Sequence, residues 1–131
     1  MLNRYWLAAA LSVAALPTVA RAAVNETTFQ LRTTGDLVEL CSTPPADPMG
    51  TAALNFCHGY TSGVYQVLQE ENAAKRVGRL FCMPEGAAPS RNEAVANFVQ
   101  WAKANPNTLS QLPADGVTLY LTNKYPCPRG K

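Results

Sequence analysis

The chain has 131 residues, of which 47% are apolar, 15% charged and 8% aromatic. Those proportions describe one soluble domain and exclude a disordered, a fibrous and a polytopic membrane protein. Eleven basic side chains face nine acidic ones, and no basic run is longer than Lys75-Arg76, so neither nucleic acid nor an anionic membrane is an expected partner.

Residues 1–22 read as a secretory signal peptide. Arg4 supplies a positive n-region, Leu7 to Leu16 is an apolar run broken only by Ser12, and Pro17 is followed by the small-residue site Ala20-Arg21-Ala22. A run of about ten residues is too short to anchor in a hydrocarbon core of about 30 Å. Cleavage would remove Arg4 and Arg21, leaving a domain over 23–131 with zero formal net charge.

Ala23 to Thr33 follows as a loose arm, with Phe29 and Leu31 able to pack on the domain surface. Asn25-Glu26-Thr27 matches a glycosylation sequon by chance. Thr34-Gly35-Asp36 offers a cap and an acidic first turn for a short helix with Leu37, Val38, Leu40 and Cys41 on its apolar side, ended by Pro44, Pro45 and Pro48. Asp47-Pro48 then places a capping residue before a proline at the first helical position. Ala53, Cys57, Tyr60, Val64, Val67 and Leu68 recur every three or four residues, which predicts a long helix to about Glu71. Gly59 and Gly63 each cost that helix about 1 kcal/mol, so we expect them, with Tyr60, at a close approach of another helix.

A polar, basic stretch from Ala73 to Leu80 precedes the loop Phe81 to Pro89. Ser90-Arg91-Asn92-Glu93 is a capping box, and Val95, Phe98, Val99 and Ala102 give the period of a third helix that must stop before Pro106. Leu109, Leu112, Val117, Tyr120 and Leu121 continue in a last helix restarted by Pro113 and ended at Tyr125-Pro126. No segment reads as a strand. The expected fold class is all-α, a compact domain of about four helices stabilised by two disulfides.

The disulfides are Cys41, Cys57, Cys82 and Cys127, an even set in an exported chain. Their spacings of 15, 24 and 44 intervening residues, with a single histidine, do not suit a metal site. If the first helix folds back along the second, Cys41 lies near the start of the long helix. Cys57 then sits nearer the loop with Cys82, which predicts Cys57–Cys82 and Cys41–Cys127.

Catalytic machinery is not visible. Cys57 and His58 point about 100° apart on a helix and cannot act as nucleophile and base. Glu70-Glu71 reads as a solvated face, Asp36 and Glu39 as helix-end charges, and Trp101 and the tyrosines as core. No phosphate loop, nucleophile elbow or cofactor motif occurs. No enzyme activity, metal or cofactor is expected.

Taken in order, Gly35-Asp36-Leu37-Val38-Glu39-Leu40-Cys41, Cys57-His58-Gly59-Tyr60-Thr61-Ser62-Gly63-Val64, Cys82-Met83-Pro84-Glu85-Gly86 and Tyr125-Pro126-Cys127 resemble the Tai-like family of periplasmic immunity proteins. Those proteins protect bacteria from type VI secretion amidase effectors, and the resemblance spans about Thr34 to Cys127. It implies an all-helical domain, often a homodimer, that binds a peptidoglycan-cleaving amidase and blocks its cleft. It carries over the four cysteines, Gly59, Tyr60 and Gly63 as structural positions and assigns no inhibitory residue. The family is also reminiscent of periplasmic acid-stress chaperones, so a chaperone-like binding protein is the alternative. An inhibitor needs a pre-ordered surface, because each rotamer frozen on binding costs about 0.5 to 1.5 kcal/mol. Pro84 to Arg91 fits, with Glu85 and Arg91 as polar tips; Lys75, Arg76 and Arg79 form the competing contact surface.

Overall fold

The computed structural model describes residues 24–74 and 78–128; the leader expected over 1–22 lies outside them. Helices α1 (Thr34–Ser42), α2 (Gly50–Ala74), α3 (Arg91–Ala104) and α4 (Pro113–Lys124) carry the fold, with short 3-10 turns at Thr28–Gln30 and Pro106–Thr108. There is no strand among the described residues. The all-α expectation holds.

The short helix α1 is the centre. Its Leu37 and Leu40 are wholly buried, and it touches each of the other three helices. Thr33 is its N-cap: the hydroxyl accepts from the Asp36 amide while the Asp36 carboxylate accepts from the Thr33 amide, so the cap falls one residue before Thr34. Thr34 is buried instead, and ties α1 to the turn before α4. Its amide donates to the Gln111 carbonyl at 2.8 Å and its hydroxyl to the Leu112 carbonyl at 3.0 Å, while the Gly35 amide donates to Leu109 at 2.9 Å. The first N–H groups of a helix lack partners within it, and here the neighbouring turn supplies them.

Packing on α1 gives a core of Leu37, Val38, Cys41, Cys57, Phe81, Val95, Phe98, Ala102, Val117, Tyr120 and Leu121. A satellite cluster of Val24, Leu40 and Ala53 is covered by Phe29 and Leu31. The arm is therefore ordered rather than loose: Phe29 meets Phe56 edge-on at 5.6 Å, and the Asn25 carboxamide accepts from Thr27.

Three further expectations are corrected. The disulfides join Cys41 to Cys57 and Cys82 to Cys127, not Cys57 to Cys82 and Cys41 to Cys127. In the segment between α1 and α2, Asp47 donates to the Pro44 carbonyl and Gly50 to the Asp47 carbonyl. This doubled turn brings α2 back along α1, so that Ala53 of its first turn packs with Leu40 and Cys57, one turn further on, meets Cys41. Cys82 instead follows α2 into an extended segment, where its amide donates to the Tyr125 carbonyl at 2.8 Å and its sulfur meets Cys127.

The glycines are the second correction. No atom lies within 4 Å of where a Cβ would stand at Gly59 or Gly63, and both face outward, while Tyr60 packs half-buried against the core. The close approaches occur elsewhere. A Cβ on Gly116 of α4 would lie 2.3 Å from the Thr34 hydroxyl, and one on Gly50 would lie 2.3 Å from the Pro44 carbonyl oxygen.

Helix ends also move. Asp47 is not the cap of α2 and Pro48 is not its first residue: Asp47 makes an Asx turn ahead of the helix, accepting from the Met49 amide at 2.9 Å, and α2 starts at Gly50 and runs past Glu71 to Ala74. The capping box at Ser90 is present as expected.

Candidate functional site

The segment after α2 is braced at both ends. At its start, Asn72 of α2 reaches two backbone groups at once: its Oδ1 accepts from the Leu80 amide and its Nδ2 donates to the Phe81 carbonyl at 2.9 Å. Phe81 is thereby buried against Tyr65, and Cys82 follows in its disulfide. At the far end, the Ser90 hydroxyl accepts from the Glu93 amide while the Glu93 carboxylate accepts from the Ser90 amide at 2.8 Å. Those bonds hold the Glu93 carboxyl below its ordinary value. Between the braces, Pro84 to Ala88 are exposed. Gly86 has φ +71° and the Ala87 amide closes on the Pro84 carbonyl, the positive third position that a type II turn requires.

Beside this loop an open cavity of about 350 Å³ runs between α2, α3 and α4. Its apolar surface comes from Met83, Val95, Phe98, Val117 and Leu121, with Tyr65, Tyr120 and Tyr125. Ala88 and Pro89 of the loop form part of one wall. Thr61, Ser62, Gln66 and Gln69 give a neutral polar edge, and among the described residues Arg91 is the one charged side chain of the lining, with no carboxylate beside it there.

Tyr120 anchors the aromatic set. Its ring meets Phe98 and Trp101 at 5.8 Å and Tyr125 at 6.4 Å. Only 3% of the residue is exposed, and its hydroxyl has no hydrogen-bond partner among the described residues. Burial first, then the neighbouring Tyr125, pushes this phenol far above its ordinary value of 10.0. Burial and then the Asp115 carboxylate raise Tyr60 in the same direction.

Of the contact residues expected from the sequence, Glu85 stands exposed on the turn and Arg91 is the first residue of α3, lining the cavity. Arg79 is exposed with its guanidinium 3.8 Å from the Cys82 sulfur. Lys75 and Arg76 lie outside the described residues. The cavity wall was readable in part, since Thr61, Tyr65 and Gln69 recur every fourth residue beside the apolar stripe of α2. Asn72 carried no comparable signal, being one polar residue in a polar helix end.

All four cysteines are in disulfides, so Cys57 offers no thiolate beside His58. No cluster of three or more candidate metal-ligating side chains occurs among the described residues. An ordered loop set beside an apolar recess gives this small helical domain a surface that another molecule can contact. Residues 33–127 match the family model of Rap1a immunity proteins, and the chain belongs to that family, an immunity rather than an enzyme family. No curated protein and no solved structure matches the chain.

Proposed function

We propose that this protein is a periplasmic, Tai-like immunity protein that binds a type VI secretion peptidoglycan amidase effector and blocks its cleft. Membership of the immunity family supports a cognate effector as the partner. Two disulfides support an oxidising compartment, and no described helix is long and apolar enough to cross a membrane. The observation that carries the inhibitory reading is the loop Met83 to Ser90. It is exposed at its tip and fixed at its base by a disulfide, the Asn72 clamp and a capping box, so little ordering remains to oppose binding.

Glu85 and Arg91 are the proposed polar contacts, with Arg79 flanking them. Stoichiometric mixing with the amidase encoded nearest to the gene should abolish peptidoglycan hydrolysis. Undiminished hydrolysis would overturn the amidase target. Inhibition that survives charge reversal at both Glu85 and Arg91 would keep the target and discard the loop.

We further propose that two copies associate through α2. Its outward stripe of Ala52, Phe56, Gly59, Gly63 and Val67 is partly apolar, and no charged residue occurs between Gly50 and Gln69, the depletion that marks the core of an interface.

A further inference from the structure

We infer that the cavity beside the loop is a receptor for one apolar side chain of the bound effector, flanked within one or two residues by a carboxylate that pairs with Arg91. The inference rests on the immunity reading and gives the partner's contacting segment a chemistry. Three features of the recess carry it. A volume of about 350 Å³ is of the size that receives a compact apolar group, and such recesses are normally apolar with a few polar groups that set orientation. The wall is made by Met83, Val95, Phe98, Val117 and Leu121, which offer contact area and no competing charge. Among the described residues, the only ionic group of the lining is a cation with no acidic residue beside it, so the charge complementary to this recess is negative.

Placement selects the occupant. Ala88 and Pro89 belong both to the loop and to the cavity wall, so a partner that grips the loop lies directly over the recess. Of the lining residues on α2, Thr61, Tyr65 and Gln69 are on the side away from the exposed stripe of Phe56, Gly59, Gly63 and Val67, while Ser62 and Gln66 border that stripe. A second copy docked on that stripe would reach the polar rim at Ser62 and Gln66 and leave the apolar wall and Arg91, which come from the loop, α3 and α4, to the effector. A polyanion such as nucleic acid would need several cations along a track, and the described residues of the recess supply one.

The test uses two peptides and the intact protein. Acetyl-Gly-Phe-Glu-Gly-amide should produce saturable NMR shifts at the amides of Val95, Val117 and Leu121, and acetyl-Gly-Phe-Gln-Gly-amide should bind about tenfold more weakly. Arg91→Gln, at an exposed position, should erase that difference and leave the melting temperature unchanged. Ala94→Leu, which fills the recess, should weaken both peptides. With the neighbouring amidase, each variant should raise Kd by about tenfold. No shift at the cavity residues, equal binding of both peptides, or wild-type discrimination in Arg91→Gln would overturn the receptor. So would unchanged amidase affinity in both variants, and in that case the immunity reading stands. Peptide discrimination in a protein that does not bind the amidase would overturn the amidase target and keep the receptor.

Discussion

At the scale of single residues, glycine positions divide by what surrounds them. Gly116 sits against the buried Thr34, whose hydroxyl and methyl would stand 2.3 and 2.5 Å from an added Cβ. Thr34 cannot yield, because its hydroxyl and amide hold the turn before α4. Gly116→Ala should therefore destabilise by about 1–3 kcal/mol despite the better helix propensity of alanine, read as a lowered urea midpoint. Gly63→Ala meets open space and should stabilise the monomer by about 0.5–1 kcal/mol. If α2 pairs with a second copy, Gly63→Trp should shift the sedimentation profile toward monomer, and an unchanged profile would remove α2 from the contact.

Tyrosine ionisation sets the alkaline limit. The phenols of Tyr60 and Tyr120 are raised above 10.0 in the folded protein, so above pH 10 the unfolded chain loses protons that the folded one keeps. Stability contributed by the neutral phenols is thus complete below pH 10 and falls as pH rises beyond it. Melting curves between pH 9 and 12 should show that fall, and Tyr120→Phe should flatten it. At neutral pH the same variant should be nearly neutral or stabilising, because the hydroxyl it removes has no partner.

At the scale of elements, the loop's order comes from its ends. Asn72→Ala leaves the Leu80 amide and the Phe81 carbonyl without their side-chain partner, a loss of about 1–3 kcal/mol. Amide hydrogen exchange from Leu80 to Ala88 should quicken with it. Removing the Cys82–Cys127 bridge, with a separation of 45 residues, should cost about 4 kcal/mol in the chain-entropy model, against about 3 for Cys41–Cys57, separated by 16. The Cys82→Ser, Cys127→Ser pair should also lose inhibition more steeply than stability, since it frees the loop, whereas the Cys41→Ser, Cys57→Ser pair should not.

At the scale of the molecule, helix content and its order along the chain were legible because each element announces itself locally. The three- and four-residue period of Ala53, Cys57, Tyr60 and Val64, the Ser90 to Glu93 box and the breaks at Pro44, Pro106 and Pro126 depend on neighbours within a few positions. The family resemblance was legible for the same reason, being carried by short motifs in order. What the sequence alone determined is thus an all-helical chain with four cysteines, a capped third helix and the loop ahead of it. Which cysteines meet, which glycines are crowded and which side chains line the recess depend on how α1 is set against α2 and α4. That arrangement follows from the doubled turn between Pro44 and Gly50 and from Thr34 donating to carbonyls more than 75 residues away. Such long-range contacts leave no periodic trace in the chain, and only the tertiary structure decided them.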